Sequence, residues 1–220
     1  TDLAAALAGT INYAGNVTVT NNDYTIAELK AINLGTAGSI TLSLPTANLS
    51  GNVADIVAAF AGSVTTNTGT ITISDANTTD IQATDIATIN TAITGAITVT
   101  NTIDINGSGS DVAAAFTAID TNTGNATANI TGTDYTVAQL KAINAKTTGA
   151  IVLATPTANL SGDVADVVAA FTGTVTTNTG TLTISDDAEV NITATDITTI
   201  NTAITGAITV SNAIDINGSG

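Results

Sequence analysis

The stretch DINGSGSD, Asp104 to Asp111, sets oxygen-bearing side chains around glycines at Asp104, Asn106, Ser108 and Asp111. That alternation loosely follows the loops that wrap a hard cation, and calcium is the ion it would take. The same residues also read, with no ion, as a glycine turn feeding an aspartate helix cap. No glutamate follows at the distance where calcium loops place their bidentate ligand. A second acidic block, SDDAEVN, gathers Asp186, Asp187 and Glu189. Its partner SDANTTD holds only Asp75 and Asp80, so the block reads as a solvated loop rather than a repeated site.

Catalysis has few other groups to draw on. The chain has no His, Cys, Met or Trp, and its three basic residues are Lys30, Lys141 and Lys146. Without His or Cys the usual nucleophile and base pairs cannot be assembled, and without Arg there is no bidentate anion clamp. Paired carboxylates would suit glycoside chemistry. That chemistry also needs a sugar-stacking cleft, and Tyr13, Tyr24, Tyr135, Phe60, Phe116 and Phe171 sit mostly at repeat or helix-core positions. The sequence therefore predicts no enzyme and no cofactor beyond the calcium considered above. Thr18 and Thr20, Thr70 and Thr72, and Thr181 and Thr183 could form ranks on a sheet, resembling the ice-facing surfaces of solenoid antifreeze proteins. Threonine is equally a good strand former that tolerates water. The Asn-x-Ser/Thr triplets, at Asn16 and six further asparagines, follow from a composition rich in Asn and Thr. Lys30 and Lys141 occupy equivalent places near expected helix C-termini, where a cation suits the helix dipole.

Eighteen carboxylates against three lysines give a formal charge of -15. Such a chain repels nucleic acid and anionic membrane surfaces, so neither is an expected partner. Hydrophobic content of 44% argues against disorder, while 3% aromatics leaves the core to Ile, Val, Leu and Ala. No apolar run approaches the roughly 20 residues of a membrane span. The opening TDLAAALAGT lacks the basic region of a signal peptide, so an export signal is expected outside this sequence.

The elements that would position these residues are repeated. ATDIATINTAITGAITVTNTIDINGSG (Ala83 to Gly109) returns as ATDITTINTAITGAITVSNAIDINGSG (Ala194 to Gly220), changed only at Ala87/Thr198, Thr100/Ser211 and Thr102/Ala213. DYTIAELKAIN at Asp23 returns as DYTVAQLKAIN at Asp134, and PTANLSG at Pro45 returns unchanged at Pro156. Each shift is 111 residues, and TDLAAALAG at Thr1 matches SDVAAAFTA at Ser110. Joining Gly220 to Thr1 would nearly reproduce the interior junction, so the pattern tiles head to tail.

A shorter period lies inside. Apolar patterns of helical spacing start near Asp2, Asp23, Asn52, Asp85, Asp111, Asp134, Asp163 and Asp196, with Asp or Asn as expected N-caps. Val53, Ile56, Val57 and Phe60 show the i, i+3, i+4, i+7 rule. Period-two stretches follow at Asn16 to Thr20, Ser39 to Leu44, Gly69 to Ser74 and Ala96 to Thr100, mostly introduced by a turn glycine. TIDIN from Thr102 and EVNIT from Glu189 add further strand-like pieces. The expected fold is a repeat solenoid of about eight coils, each about 27 residues with a short helix and one or two strands in parallel sheet. An all-β solenoid is the alternative. Residues 1–109 and 110–220 would each hold four coils of one continuous solenoid. Strands stack about 4.8 Å apart and helices about 8–10 Å, so either helices lie outside a curve or each coil adds two strands per helix. The extra strand-like pieces favour two strands.

DYTVAQLKAINAKTTGAI and TDIATINTAITGAITVT resemble the Thr-, Ala- and Gly-rich repeats of giant bacterial cell-surface proteins, those of marine cyanobacteria above all. The resemblance covers essentially the whole chain. It implies export, an extracellular or cell-surface location, and a structural or adhesive role in a fibre, surface layer or adhesin stalk. It carries over no catalytic residue. The expected partners are further copies of the chain, end to end or side by side.

Overall fold

The computed structural model of the chain describes residues 2–9 and 12–219; Thr1 and Gly220, at the expected head-to-tail junction, lie outside the described residues. The chain opens with α1 (Asp2–Leu7), β1 (Val17–Val19), α2 (Ile26–Gly35), β2 (Ile40–Leu42), β3 (Leu49–Gly51) and α3 (Val53–Ala59). It continues through β4 (Ile71–Ile73), β5 (Asp80–Gln82), α4 (Ala83–Ala92), β6 (Ile97–Val99), β7 (Asp104–Gly107), α5 (Gly109–Ala118), β8 (Thr121–Asn122) and β9 (Thr127–Ile130). Then come α6 (Val137–Asn144), β10 (Ile151–Leu153), β11 (Leu160–Gly162), α7 (Val164–Ala170), β12 (Leu182–Ile184), β13 (Asn191–Thr193), α8 (Ala194–Ala203), β14 (Ile208–Val210) and β15 (Asp215–Asn217). Helices thus stand at all eight expected places, which removes the all-β alternative.

Most helices begin differently from expectation. At α3 the expected residue serves, with Asn52 Oδ1 accepting from the Asp55 amide at 2.8 Å. Asp163 stands at the expected start of α7 but makes no capping hydrogen bond with its side chain. Thr25 caps α2 in a reciprocal box with Glu28, and Thr136 does the same with Gln139 for α6. Thr193 caps α8. Asp85 and Asp196 sit in the first turn of their helices, where a negative charge still meets the positive end of the dipole. The hydroxyl wins because it reaches the free third amide from the residue just before the first turn. Helices of six to ten residues do not persist alone in water, and each must be held by packing. Ile26, Leu29 and Ile32 form the buried stripe of α2, and Val137, Leu140 and Ile143 that of α6.

The contacts divide the chain into two compact units, one of residues up to Ile103 with Ala118–Gly124, the other of Asp104–Thr117 with the residues from Asn125 onward. In the first, β1 pairs with β2, and β3, β4, β6 and β8 line up in one sheet. In the second, β7–β9–β10, β11–β12–β14 and β13–β15 form ladders. All of these pairs are parallel. Each partner lies 22 to 26 residues further along, Leu49 to Ile71 being the shortest step and Ile71 to Ile97 the longest. One helix-plus-strand motif therefore adds one strand to a given sheet, and its second strand joins a different sheet. Two strands of one motif cannot pair in parallel with each other, because β2 and β3 are separated only by residues 43–48. A parallel crossover needs a dozen or more.

The period-two stretches form strands as expected, trimmed to three residues in β1, β2, β4 and β6. β3, β5, β8 and β11 are not legible in the sequence, since pieces such as Leu49–Gly51 are too short to show alternation. Consecutive helices α1 to α4 pack in the first unit, and α6 to α8 in the second. Inward residues stack in register, Leu49 on Ile71 on Ile97 and Leu160 on Leu182 on Ile208. The turn glycines serve a further purpose. A Cβ at Gly95 would fall inside the van der Waals shell of the Gly69 carbonyl oxygen, and one at Gly206 would meet Gly180 in the same way. Backbone lies directly on backbone there, so any side chain would force the motifs apart.

Candidate functional site

Of the candidate cation loop, Ser108 and Asp111 are engaged in starting a helix, and Asp104 and Asn106 lie in the strand before it. Asp104 and Asn106 lie two apart in β7, and the Asn106 side-chain amide donates to the Asp104 carbonyl at 3.2 Å. Ser108 Oγ accepts from the Asp111 amide at 3.2 Å and donates to Asp111 Oδ2 at 2.7 Å. Ser108 is thus the cap of α5, and Asp111 stands in its first turn. The structure brings Ser108 and Asp111 together, and Asp104 with Asn106 through a backbone carbonyl. Among the described residues no three His, Cys, Asp or Glu side chains gather in a group able to hold a metal ion.

The acidic block at Ser185 is only partly a solvated loop. Asp187 and Glu189 are exposed, but Asp186 is buried, and so is Asp75 in the other copy. Asp75 Oδ2 accepts from the Val53 amide at 2.8 Å, and Asp186 Oδ2 from the Val164 amide at the same distance. Each carboxylate therefore closes the N-terminus of a helix that precedes it by one motif. A buried amide at a helix start needs an acceptor, and here the next motif supplies it. The repeated triplets Ile73-Ser74-Asp75 and Ile184-Ser185-Asp186 were the available signal.

Other links of the same kind run between motifs. Asn67 and Asn178 are completely buried and use both ends of their amides. Asn67 accepts from the Tyr24 hydroxyl at 3.0 Å and donates to the Ala47 and Gly69 carbonyls at 3.0 and 3.1 Å. Asn178 accepts from Tyr135 at 2.6 Å and donates to Ala158 at 2.9 Å and Gly180 at 3.4 Å. Burial raises the pKa of both phenols above the ordinary tyrosine value. Asn33 and Asn144 donate to carbonyls at the ends of α3 and α7.

Lys30 pairs with Asp55 and Lys141 with Asp166, each on the following helix. Both lysines therefore tie helix to helix; Lys141 also stands in the last turn of its own helix, as expected, whereas Lys30 lies in the middle of α2. The hydrogen bond from Lys30, followed by that from Asn52, holds the Asp55 carboxyl below the usual range. These pairs are about half exposed and contribute little stability.

The outward hydroxyls also fall into ranks, one per strand. Ser50, Thr72, Thr98 and Thr121 stand in register across four strands, and Ser161, Thr183 and Thr209 across three. Thr20, Thr70 and Thr181 lie outside the strands, so the paired Thr-x-Thr ranks expected from sequence become single ranks.

One further contrast separates the two copies of the longest repeated stretch. Val99 and Ile105 are 0% exposed, whereas their counterparts Val210 and Ile216 are 43% and 57% exposed. None of the three sequence differences falls at these positions. The interior copies are covered by the next strands, β8 over β6 and β9 over β7. Among the described residues β14 pairs only with β12, and β15 only with β13. Among the described residues no strand covers Val210 and Ile216 as β8 and β9 cover their twins.

No protein-family model, curated protein or solved structure matches this chain. The arrangement itself supplies what can be said of its chemistry. The buried Asp, Asn and Tyr groups described above join one motif to the next. No helix among the described residues is long and apolar enough to cross a membrane.

Proposed function

We propose that the chain is a structural solenoid of about eight coils, displayed outside the cell, that builds a fibre, surface layer or adhesin stalk by end-to-end stacking. The observation that carries this reading is the linkage of coil to coil by buried groups, with the buried carboxylates of Asp75 and Asp186 accepting from the Val53 and Val164 amides, each at the helix start of the coil before. Coils carry one another: strand ladders, the Asp75 and Asp186 caps and the buried Tyr–Asn pairs all reach from one coil to its neighbour. A fold stabilised by nearest-neighbour contacts extends by repetition. The resemblance to repeats of bacterial surface proteins supports the location. So does the scarcity of lysine and the absence of arginine, which leave few sites for trypsin-like proteases.

Sedimentation velocity with electron microscopy across micromolar concentrations tests the reading. Thin filaments are expected, with an axial repeat of about 38 Å for eight coils along the strand stack. Monodisperse single chains at every concentration would overturn it.

A further inference from the structure

We propose that Asn48 and Asn159, at equivalent places of the two long repeats, are attachment sites for an N-linked sugar on the outward face of the strand stack, independently of whether copies assemble end to end.

Composition explains why Asn-x-Ser/Thr triplets are numerous in this chain. It does not explain which side-chain atom each asparagine keeps free. Asn48-Leu49-Ser50 runs into β3 and Asn159-Leu160-Ser161 into β11, each with helices of the fold before and after it. The Thr70 amide donates to Asn48 Oδ1 at 2.9 Å, and the Thr181 amide donates to Asn159 Oδ1 at 3.1 Å. The Thr181 hydroxyl adds a second bond to Asn159 Oδ1 at 2.9 Å. A backbone amide only donates, so it fixes which end of each side chain is the oxygen. Both asparagines are exposed, and neither Nδ2 makes a hydrogen bond among the described residues.

Asparagines outside such triplets behave in the opposite way. Asn33, Asn67 and Asn101, with their counterparts Asn144, Asn178 and Asn212, all donate from Nδ2. Asn16 and Asn77, both in triplets, again accept through Oδ1, from the Ser39 and Thr102 amides at 3.0 Å. At Asn77, however, the hydroxyl of the triplet is engaged, because Thr79 Oγ1 donates to the Ala76 carbonyl at 2.7 Å. Ser50 and Ser161 are exposed, and their hydroxyls make no hydrogen bond among the described residues. Residues two apart on an extended chain share a face, so each strand presents amide and hydroxyl together. The register sets only Thr72 beside Ser50 and Thr183 beside Ser161, which leaves room on that face.

An N-linked sugar suits this arrangement because it takes the nitrogen and spares the oxygen. The donor is a sugar activated as a phosphate ester, brought by a transferase that reads the triplet. Nδ2 forms a bond to the anomeric carbon and gives up one proton. The bond from that carbon to the phosphate oxygen breaks, and its electron pair leaves with the phosphate. Oδ1 goes on accepting from the next motif, so the link between coils survives the modification. A bulky, hydrated group there keeps the outward faces of neighbouring chains from packing on each other.

The test uses the full chain purified from its native source. Peptides holding Asn48 and Asn159 are fragmented by electron transfer in a mass spectrometer, which leaves sugars on their side chains. Sugar-sized mass increments are expected on both asparagines and on neither Asn67 nor Asn178. The double variant Asn48→Asp with Asn159→Asp, made in the same host, keeps an acceptor for the Thr70 and Thr181 amides but has no nitrogen to modify. It should lose both increments and keep the circular dichroism of the parent. Ser50→Ala with Ser161→Ala removes only exposed hydroxyls and should lose the increments as well. Unmodified Asn48 and Asn159 in the native chain would overturn the proposal. Sugar found instead on Asn129, half-buried in β9 between two paired strands, would defeat the reasoning from a free Nδ2. Increments that persist in the serine variant would rule out recognition of the triplet.

Discussion

Ile105 and Ile216 occupy the same place in two copies of one sequence, so replacing each by alanine separates the effect of burial from that of local sequence. Ile105 is 0% exposed, in β7 against β9, whereas Ile216 is 57% exposed. Removing a buried isoleucine side chain to alanine costs about 2–5 kcal/mol, the spread reflecting how far the site can collapse. A substitution at an exposed position stays within about 0.5 kcal/mol. Ile105→Ala should therefore exceed Ile216→Ala by at least about 1.5 kcal/mol. In a chain of this size that difference separates the melting temperatures by roughly 3–6 °C. The assay is urea and thermal unfolding followed by circular dichroism, at concentrations too low for assembly. Equal shifts in the two variants would refute the reasoning, because they would mean that the last coil is as well covered as the interior.

The buried amides allow a second check. Asn178→Ala strands the Tyr135 hydroxyl and the Ala158 carbonyl in a dry interior, and the cost should be about 2–4 kcal/mol from the unsatisfied groups, read as a lower urea midpoint. A shift within error of the parent would show that water reaches the site. A third prediction concerns alkaline pH. Burial lifts the pKa of Tyr24 and Tyr135 in the folded chain, so the folded state holds these protons more tightly than the unfolded state, where tyrosine titrates near 10. The stability they contribute is intact below about pH 10 and is lost as pH rises through the folded-state values. Urea midpoints measured alongside tyrosinate absorbance should fall together above that pH, and a flat midpoint through full ionisation would contradict the assignment.

The amino-acid sequence by itself determines several features. The long repeat, the eight helix positions and six of the strands, β1, β2, β4, β6, β7 and β13, follow from apolar spacing, because a helical or extended stripe must recur at its own short period wherever it faces a core. The absence of His, Cys and Arg bounds the available chemistry, since it concerns which groups exist and not where they lie. The capping side chains at α2 and α6 stand two positions after the expected aspartates, and those at α5 and α8 three positions before them. Asp, Asn, Ser and Thr all suit a helix start, and only the local backbone decides which side chain reaches the free amide.

Tertiary structure alone decided the rest. Asp186 looks like part of an exposed acidic loop until the Val164 amide, one motif earlier, is found against it. Asn67 and Asn178 look like turn residues in a Thr-rich stretch until Tyr24 and Tyr135 reach them from far along the chain. Strand registers of 22 to 26 residues depend on how much chain closes each motif, which no local periodicity records. The exposure of Ile216 is the plainest case. Its sequence neighbourhood is that of Ile105, and only the presence or absence of a covering strand separates the two, because burial is a property of neighbours in space and not of residues in line.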